Sequence, residues 1–240
     1  MTSFVIEPTW PDPVETLKDE PTQRFVVDSE LLVEGRVWDV RRDNVDLGDG
    51  QRVVRDYVQH TGAVAVVALD HQDRVLLVRQ YRHPVSMMMW EPVAGLLDIE
   101  DEDPVVGAAR ELVEEAGVTA KTWDVLVDFE TSPGGSSETL RVYLARDLAP
   151  ALGGRPLGTG EERDMPIAWV PLDLALELVL SGRLTSPSTV VGVLAAHAAR
   201  LRGWSDLRPT SDRWTARETT VATGRVRGGV DGSYIPVPPV

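Results

Sequence analysis

The sequence predicts an α/β protein in which helices cover a β-sheet, and three features carry that expectation. Residues 62–69, GAVAVVAL, are almost wholly apolar, as a strand buried on both faces requires. Residues 104–116 hold a helical apolar stripe between a helix-starting Asp103-Pro104 pair and a helix-ending Gly117. Near the end of the chain, LDLALELVLSG and SPSTVVGVLAAHAARLRG place apolar residues at helical spacing.

Residues 1–30 are rich in Pro, Asp, Glu and Thr without a sustained period, so they read as a flexible arm, with order beginning near Leu31. LLVEGRVWDVRRDNVDL and QRVVRDYVQH then read as two strands joined at the Gly48-Asp49-Gly50 turn, making residues 31–60 an antiparallel β region. GAVAVVALD and RVLLVRQYR read as a second hairpin across residues 70–73. MMMWEPVAG leads towards the helix, with Met87, Met88 and Met89 in a packed or partly exposed loop. TWDVLVDFET, TLRVYLARDL and MPIAWVPL read as later strands. From Gly203 the composition turns to Thr, Gly, Arg and Pro, so residues 203–240 read as a flexible or partner-dependent tail, although Trp204, Trp214 and Tyr234 call for something to pack on.

Composition narrows the function classes. At 240 residues and 42% hydrophobic content the chain can bury a full-sized core. It lacks cysteine, which removes disulfides, thiolate metal sites and thiol nucleophiles together. A formal charge of −14, from 38 acids against 24 bases, opposes binding to nucleic acid or to an anionic membrane. No apolar run reaches the roughly 18 residues of a membrane span, and the first residues lack the pattern of a signal peptide, so the expected location is the cytoplasm. His60, His71, His83 and His197 are scattered without metal-ligand spacing, so any metal would sit mainly on oxygen.

The stretch RELVEEAGV crowds Glu111, Glu114 and Glu115 onto one side of the helix, leaving Val105, Ala108, Ala109, Leu112 and Ala116 as the buried stripe. Like charges at i,i+4 cost only about 0.2–0.5 kcal/mol, so a solvated acidic face with Arg110 paired to Glu114 is one reading. The other is chemical. Carboxylates one helical turn apart suit Mg2+ or Mn2+, whose remaining sites are filled by water and substrate phosphates. Ala94-Gly95 before the helix is small enough to let backbone approach whatever the glutamates hold.

Gly95, Glu102, Arg110-Glu111, Glu114-Glu115 and Gly117-Val118 resemble the Nudix box. Six residues separate Gly95 from Glu102 where the pattern has five, so Asp101 stands at the unaltered spacing. GAVAVVAL, VRQYRHP, WEPVAGLLD, TSPGGSSE and GVLAAHAA are similar to actinobacterial ADP-ribose pyrophosphatases within that family. The resemblance implies an α/β/α sandwich around a mixed sheet over residues 61–202, and metal-dependent hydrolysis of ADP-ribose to AMP and ribose 5-phosphate. It also implies a homodimer in which the early strands of residues 31–60 reach across to the partner.

On the same basis Glu111 and Glu115, then Glu114, with the Ala94 carbonyl, would hold Mg2+ or Mn2+, and Arg110 would orient the carboxylates. Glu138, which closes SPGGSSE, would be the general base, carried on a loop whose Gly134 and Ser136 let it fold over substrate. Arg55 and Arg82 match substrate-binding positions, and Trp38 would stack on adenine or pack in a core or dimer interface. The alternatives are another nucleotide sugar or a dinucleoside polyphosphate as substrate, or a non-catalytic ADP-ribose sensor.

Overall fold

The computed structural model describes residues 13–48, 50–156 and 165–227. Three strands, β1 (Phe25–Val33), β2 (Asp39–Gly48) and β3 (Gln51–Gln59), pair antiparallel in that order as an N-terminal sheet. Order in the chain thus begins before Leu31, inside the stretch expected to be an arm, whose residues 1–12 lie outside the described residues. The run read as one strand from Leu31 is divided near Gly35, whose amide donates to Asp39 Oδ1 at 3.1 Å and turns β1 into β2. Gly48 and Gly50 flank the next turn at φ +94° and +75°, the left-handed region that favours glycine; Asp49 lies outside the described residues.

β4 (Ala63–Ala68) is buried along its whole length. Successive side chains of a strand point to opposite faces, so Val64, Val66 and Ala68 enter one apolar cluster while Ala63, Ala65 and Val67 enter another. Next come β5 (Arg74–Arg82), β6 (Met87–Glu91), β7 (Val93–Leu96) and α1 (Pro104–Ala116), then β8 (Val118–Glu130) and β9 (Thr139–Pro150). They are followed by β10 (Ile167–Pro171), α2 (Leu172–Leu180), α3 (Pro187–Leu201), β11 (Arg208–Pro209) and α4 (Thr215–Ala222).

The central sheet runs β11-β8-β9-β4-β7, with β4 parallel to β9 and the other neighbours antiparallel. Helix α1 packs on the Val64 and Val66 face through Ala108 and Leu112. Helices α2 and α3 cover the other face through Leu172, Ala175, Val193 and Ala196. Gly192 lets α3 come close, since a Cβ there would lie 2.9 Å from Val67 Cγ2. This is the expected α/β/α sandwich around a mixed sheet, preceded by antiparallel strands.

Two expectations are corrected. β4 and β5 do not form a hairpin: β5 pairs with β6 and β10 in a separate sheet, and the bridge Leu69↔Val75 is where the two touch. The reason is that β7 and β9 already occupy both edges of β4, while Asp70 Oδ1, accepting from the Gln72 and Arg74 amides at 2.9 Å each, turns the chain away. Met87 to Met89 are the start of strand β6 rather than a loop.

Residues 203–227, expected as a tail, pack against the rest of the chain. Arg208 and Pro209 add a short strand to β8. Trp214 is only 6% exposed, sits in the α1-side cluster and lies under the Arg141 guanidinium at 4.9 Å. Arg141, itself buried on β9, donates to the carbonyls of Asp212 and Arg213 at 2.9 and 3.2 Å. Arg225 pairs with buried Asp43 of β2 at 2.7 Å. Tyr234 lies outside the described residues. Because Trp214 fills a core position, Trp214→Ala should lower stability by about 3–5 kcal/mol in chemical denaturation, where a free tail would give no change.

Candidate active site

The site is built where α1 meets β7. Asp103 caps the helix, its Oδ1 accepting from the Val105 amide at 3.0 Å, and Gly117 ends it at φ +66° with its amide on the Val113 carbonyl at 2.8 Å. Both ends follow the sequence signals. Helix α1 lies so close to β7 that a Cβ on Gly95 would fall 2.3 Å from Glu111 Cγ and Oε1. Only glycine lets the Glu111 side chain rest on that strand.

Arg110 gathers the acids. Its Nε and Nη2 donate to Glu102 Oε1 and Oε2 at 3.0 and 3.1 Å, and its Nη1 donates to Glu111 Oε1 at 2.8 Å and Glu114 Oε2 at 3.0 Å. The Glu102 hydrogen bond first, then the Glu111 charge, raises the Arg110 pKa well above its ordinary value against the opposing effect of burial. Glu102 is the residue that meets Arg110. Asp101, at the unaltered spacing, is exposed and takes a left-handed φ of 58°, so the extra residue is absorbed in the turn before the helix. Gly107 leaves room for Glu102, since a Cβ there would sit 2.8 Å from Glu102 Oε2.

The three helical glutamates do not share one exposed face. At 100° per residue Glu115 stands only about 20° from the direction of Ala108, whereas Glu114 is about 120° away. Glu115 is accordingly buried at 6% exposure, with Oε2 accepting from the Ala94 amide at 3.4 Å, while Glu114 is exposed and Glu111 lies between them.

Glu138 comes from the loop between β8 and β9. Its Oε2 accepts from Thr131 Oγ1 at 2.6 Å, its Oε1 lies 3.6 Å from His60 Nε2, and its amide donates to Ser136 Oγ at 3.1 Å. The loop is tied to β3 by Val58, whose amide donates to the Gly135 carbonyl and whose carbonyl accepts from Ser137, both at 2.9 Å. Gly134 is exposed at the loop tip.

Arg82 ends β5. It grips Glu91, a buried carboxylate, with Nη2 at 2.5 Å and Nε at 3.1 and 3.2 Å. Burial opposes its charge, but Glu91, then Glu115 and Glu138, hold its pKa above the ordinary value, so both carboxylates lie within its electrostatic reach. Glu115 and Glu138, on different elements, thus both act on the Arg82 charge. Arg55 and Trp38 belong to the N-terminal sheet and its turns; Arg55 is exposed with Nη1 on the Val54 carbonyl, and Trp38 is 43% exposed, which removes the core alternative for Trp38 within one chain.

Sequence reasoning missed Glu91, Thr131 and His60. Glu91 had a signal: it is the charged residue inside the otherwise apolar MMMWEPVAG. His60 had none, because its partner Glu138 is distant in sequence.

The cluster suits a hard divalent cation. Glu111 and Glu115, Glu114 beside them and the Ala94 carbonyl are all oxygen donors, and Gly95 keeps the strand clear. Among the described residues no three acidic or imidazole side chains converge as a chelating group.

The NUDIX domain model matches residues 59–187. The chain is 44% identical over 199 residues to the ADP-ribose pyrophosphatase of Mycobacterium tuberculosis, covering 83% of this chain and 95% of that protein. It is 35% identical over 164 residues to the ADP-ribose pyrophosphatase of Bacillus subtilis, covering 68% and 87%. A crystal structure of an ADP compounds hydrolase superposes with a TM-score of 0.65 at 21% identity, over 78% of this chain and 99% of that one, a likeness of fold. Gly95→Ala should push Glu111 off the strand and weaken Mn2+ binding about tenfold or more in an isothermal titration, with the melting temperature little changed; unchanged affinity would remove Glu111 from the cation site.

Proposed function

The chain belongs to the NUDIX family of pyrophosphohydrolases, and we propose that it hydrolyses ADP-ribose to AMP and ribose 5-phosphate. What supports this reading is the gathering of Glu111 and Glu114 by Arg110 against the Gly95 strand, with Arg82, gripped by Glu91, under the charges of both Glu115 on α1 and Glu138 on the β8–β9 loop. The ADP-ribose pyrophosphatases among its relatives, one of them matched over 95% of its length, support the substrate.

Glu111 and Glu115, then Glu114, with the Ala94 carbonyl, would hold Mg2+ or Mn2+. When bound, such an ion neutralises pyrophosphate charge and fixes its orientation. Arg110 keeps Glu111 and Glu114 in place, and Arg82 stands ready for a phosphate oxygen, its guanidinium held by Glu91. Glu138 takes a proton from water as the water oxygen bonds to phosphorus and the bridging phosphorus–oxygen bond breaks. The departing phosphate oxygen takes up a proton, so one water is divided between AMP and ribose 5-phosphate. Gly134 gives the loop tip freedom to close, Ser136 braces Glu138 through its amide, and Arg55 and Trp38 would meet the ribose and adenine.

Phe25, Leu31, Val33 and Val54 leave apolar surface exposed on the N-terminal sheet. That surface supports a homodimer in which Arg55 and Trp38 act at the partner's cleft. No helix among the described residues is long and apolar enough to cross a membrane. The formal charge of −14 argues against nucleic acid, and the proposed setting is the cytoplasm with a small-molecule substrate.

Purified protein should release AMP fastest from ADP-ribose in a panel with ADP-glucose, GDP-mannose, NADH and diadenosine polyphosphate, with Mg2+ present and not with EDTA. Glu138→Gln should slow turnover by about 10²–10⁴-fold while sparing Mn2+ binding, whereas Glu115→Gln should lose both. Faster cleavage of another compound would replace the substrate, and no cleavage of any would leave a sensor of ADP-ribose.

A further inference from the structure

His60 is 9% exposed and stands between β3 and β4, where the base loop meets the C-terminal segment. Its Nδ1 accepts from the Gly62 amide at 3.1 Å, so its ring proton resides on Nε2, the atom 3.6 Å from Glu138 Oε1. Thr131 Oγ1 holds the other carboxylate oxygen at 2.6 Å. The Glu138 carboxylate is thus addressed on both oxygens by donors that remain neutral. Burial lowers the His60 pKa below 6.5 and the nearby Arg217 charge acts in the same direction against Glu138, which keeps the imidazole uncharged at neutral pH.

The backbone on either side of His60 is held by residues far along the chain. Gln59 Nε2 donates to the carbonyls of Gly224 and Val226 at 2.9 and 3.3 Å. The Arg227 amide donates to the His60 carbonyl at 3.2 Å, and half-buried Arg217 donates through Nη1 to the Thr61 carbonyl. From the loop side, Ser137 Oγ accepts the His60 amide at 3.0 Å.

We propose that His60 is a positioning residue that aims the Glu138 carboxylate into the cleft through Nε2–H, and that residues 217–227 hold the imidazole there. The separation of 3.6 Å is longer than a hydrogen bond, as catalytic contacts often are before substrate binds, and closure of the loop over substrate would shorten it. This role rests on Glu138 being the general base.

The test is steady-state kinetics on ADP-ribose with saturating Mg2+, using full-length His60→Leu, His60→Gln, Glu138→Gln and the double variant His60→Leu/Glu138→Gln. His60→Leu should lower kcat by about 10–100-fold with KM little changed, the scale of a displaced catalytic group. His60→Gln, whose amide nitrogen reaches the place of Nε2, should recover most of the rate. His60→Leu should cost nothing further once Glu138 is already Gln. Wild-type kcat in His60→Leu, or the same fold loss in both backgrounds, overturns the positioning role while a slow Glu138→Gln keeps the base. A normal rate in Glu138→Gln overturns the base itself. Should His60→Leu fail to fold, His60→Asn, whose amide reaches only the place of Nδ1, is set against His60→Gln: slow Asn with fast Gln supports the role, and equal rates overturn it.

Discussion

Helix α1 can place Glu111, Glu114 and Glu115 beside the incoming Glu102 because one guanidinium answers most of that charge. Arg110 binds Glu102 through two nitrogens and shares its third with Glu111 and Glu114. An exposed ion pair is worth only about 0.2–1 kcal/mol, but a paired, partly buried fork of this kind exceeds the few tenths that separate like charges on a helix. Glu115 is relieved separately by the Ala94 amide. The helix is therefore stable with its acids gathered, and what remains is a set of oxygen atoms facing a strand on which Gly95 leaves no side chain.

That arrangement depends in turn on β4. A strand buried on both faces fixes α1 to one side and α2 with α3 to the other, and it gives its two edges to β7 and β9. β7 brings Ala94 and Gly95 to the helix, and β9 begins just beyond Glu138. The strand residues Ala94 and Gly95 and the loop residue Glu138 are thus delivered by the two neighbours of a single strand. The C-terminal segment completes the frame by joining β2, through the buried Arg225–Asp43 pair, to the stretch before β4.

Local signals were the legible ones. The caps Asp103 and Gly117, the apolar run before Asp70 and the spacing of α2 and α3 each act within a few residues, so α1, β4 and the covering helices could be read directly. The glutamates of α1 were legible as a group, but not their separation, because the burial of Glu115 depends on how the helix rotates against β7. Pairings between distant segments left no trace in the sequence. Neither the diversion of β5 into its own sheet, nor the docking of Trp214 under Arg141, nor the approach of His60 to Glu138 can be seen from neighbouring residues. The Thr-, Gly- and Arg-rich composition after Gly203 suggested a tail because its packing is made chiefly by two tryptophans and several arginines, not by a periodic apolar face.

We propose that α1 and β7 form one cation site with the base loop across from it. This is tested most directly by diffraction at the manganese absorption edge from crystals grown with Mn2+ and a non-hydrolysable ADP-ribose analogue. An anomalous peak is expected, bounded by Glu111, Glu115 and the Ala94 carbonyl, with the pyrophosphate lying between that peak and Glu138. A peak elsewhere, for instance among Asp70, Asp73 and Asp147 at the far end of β4, would contradict it.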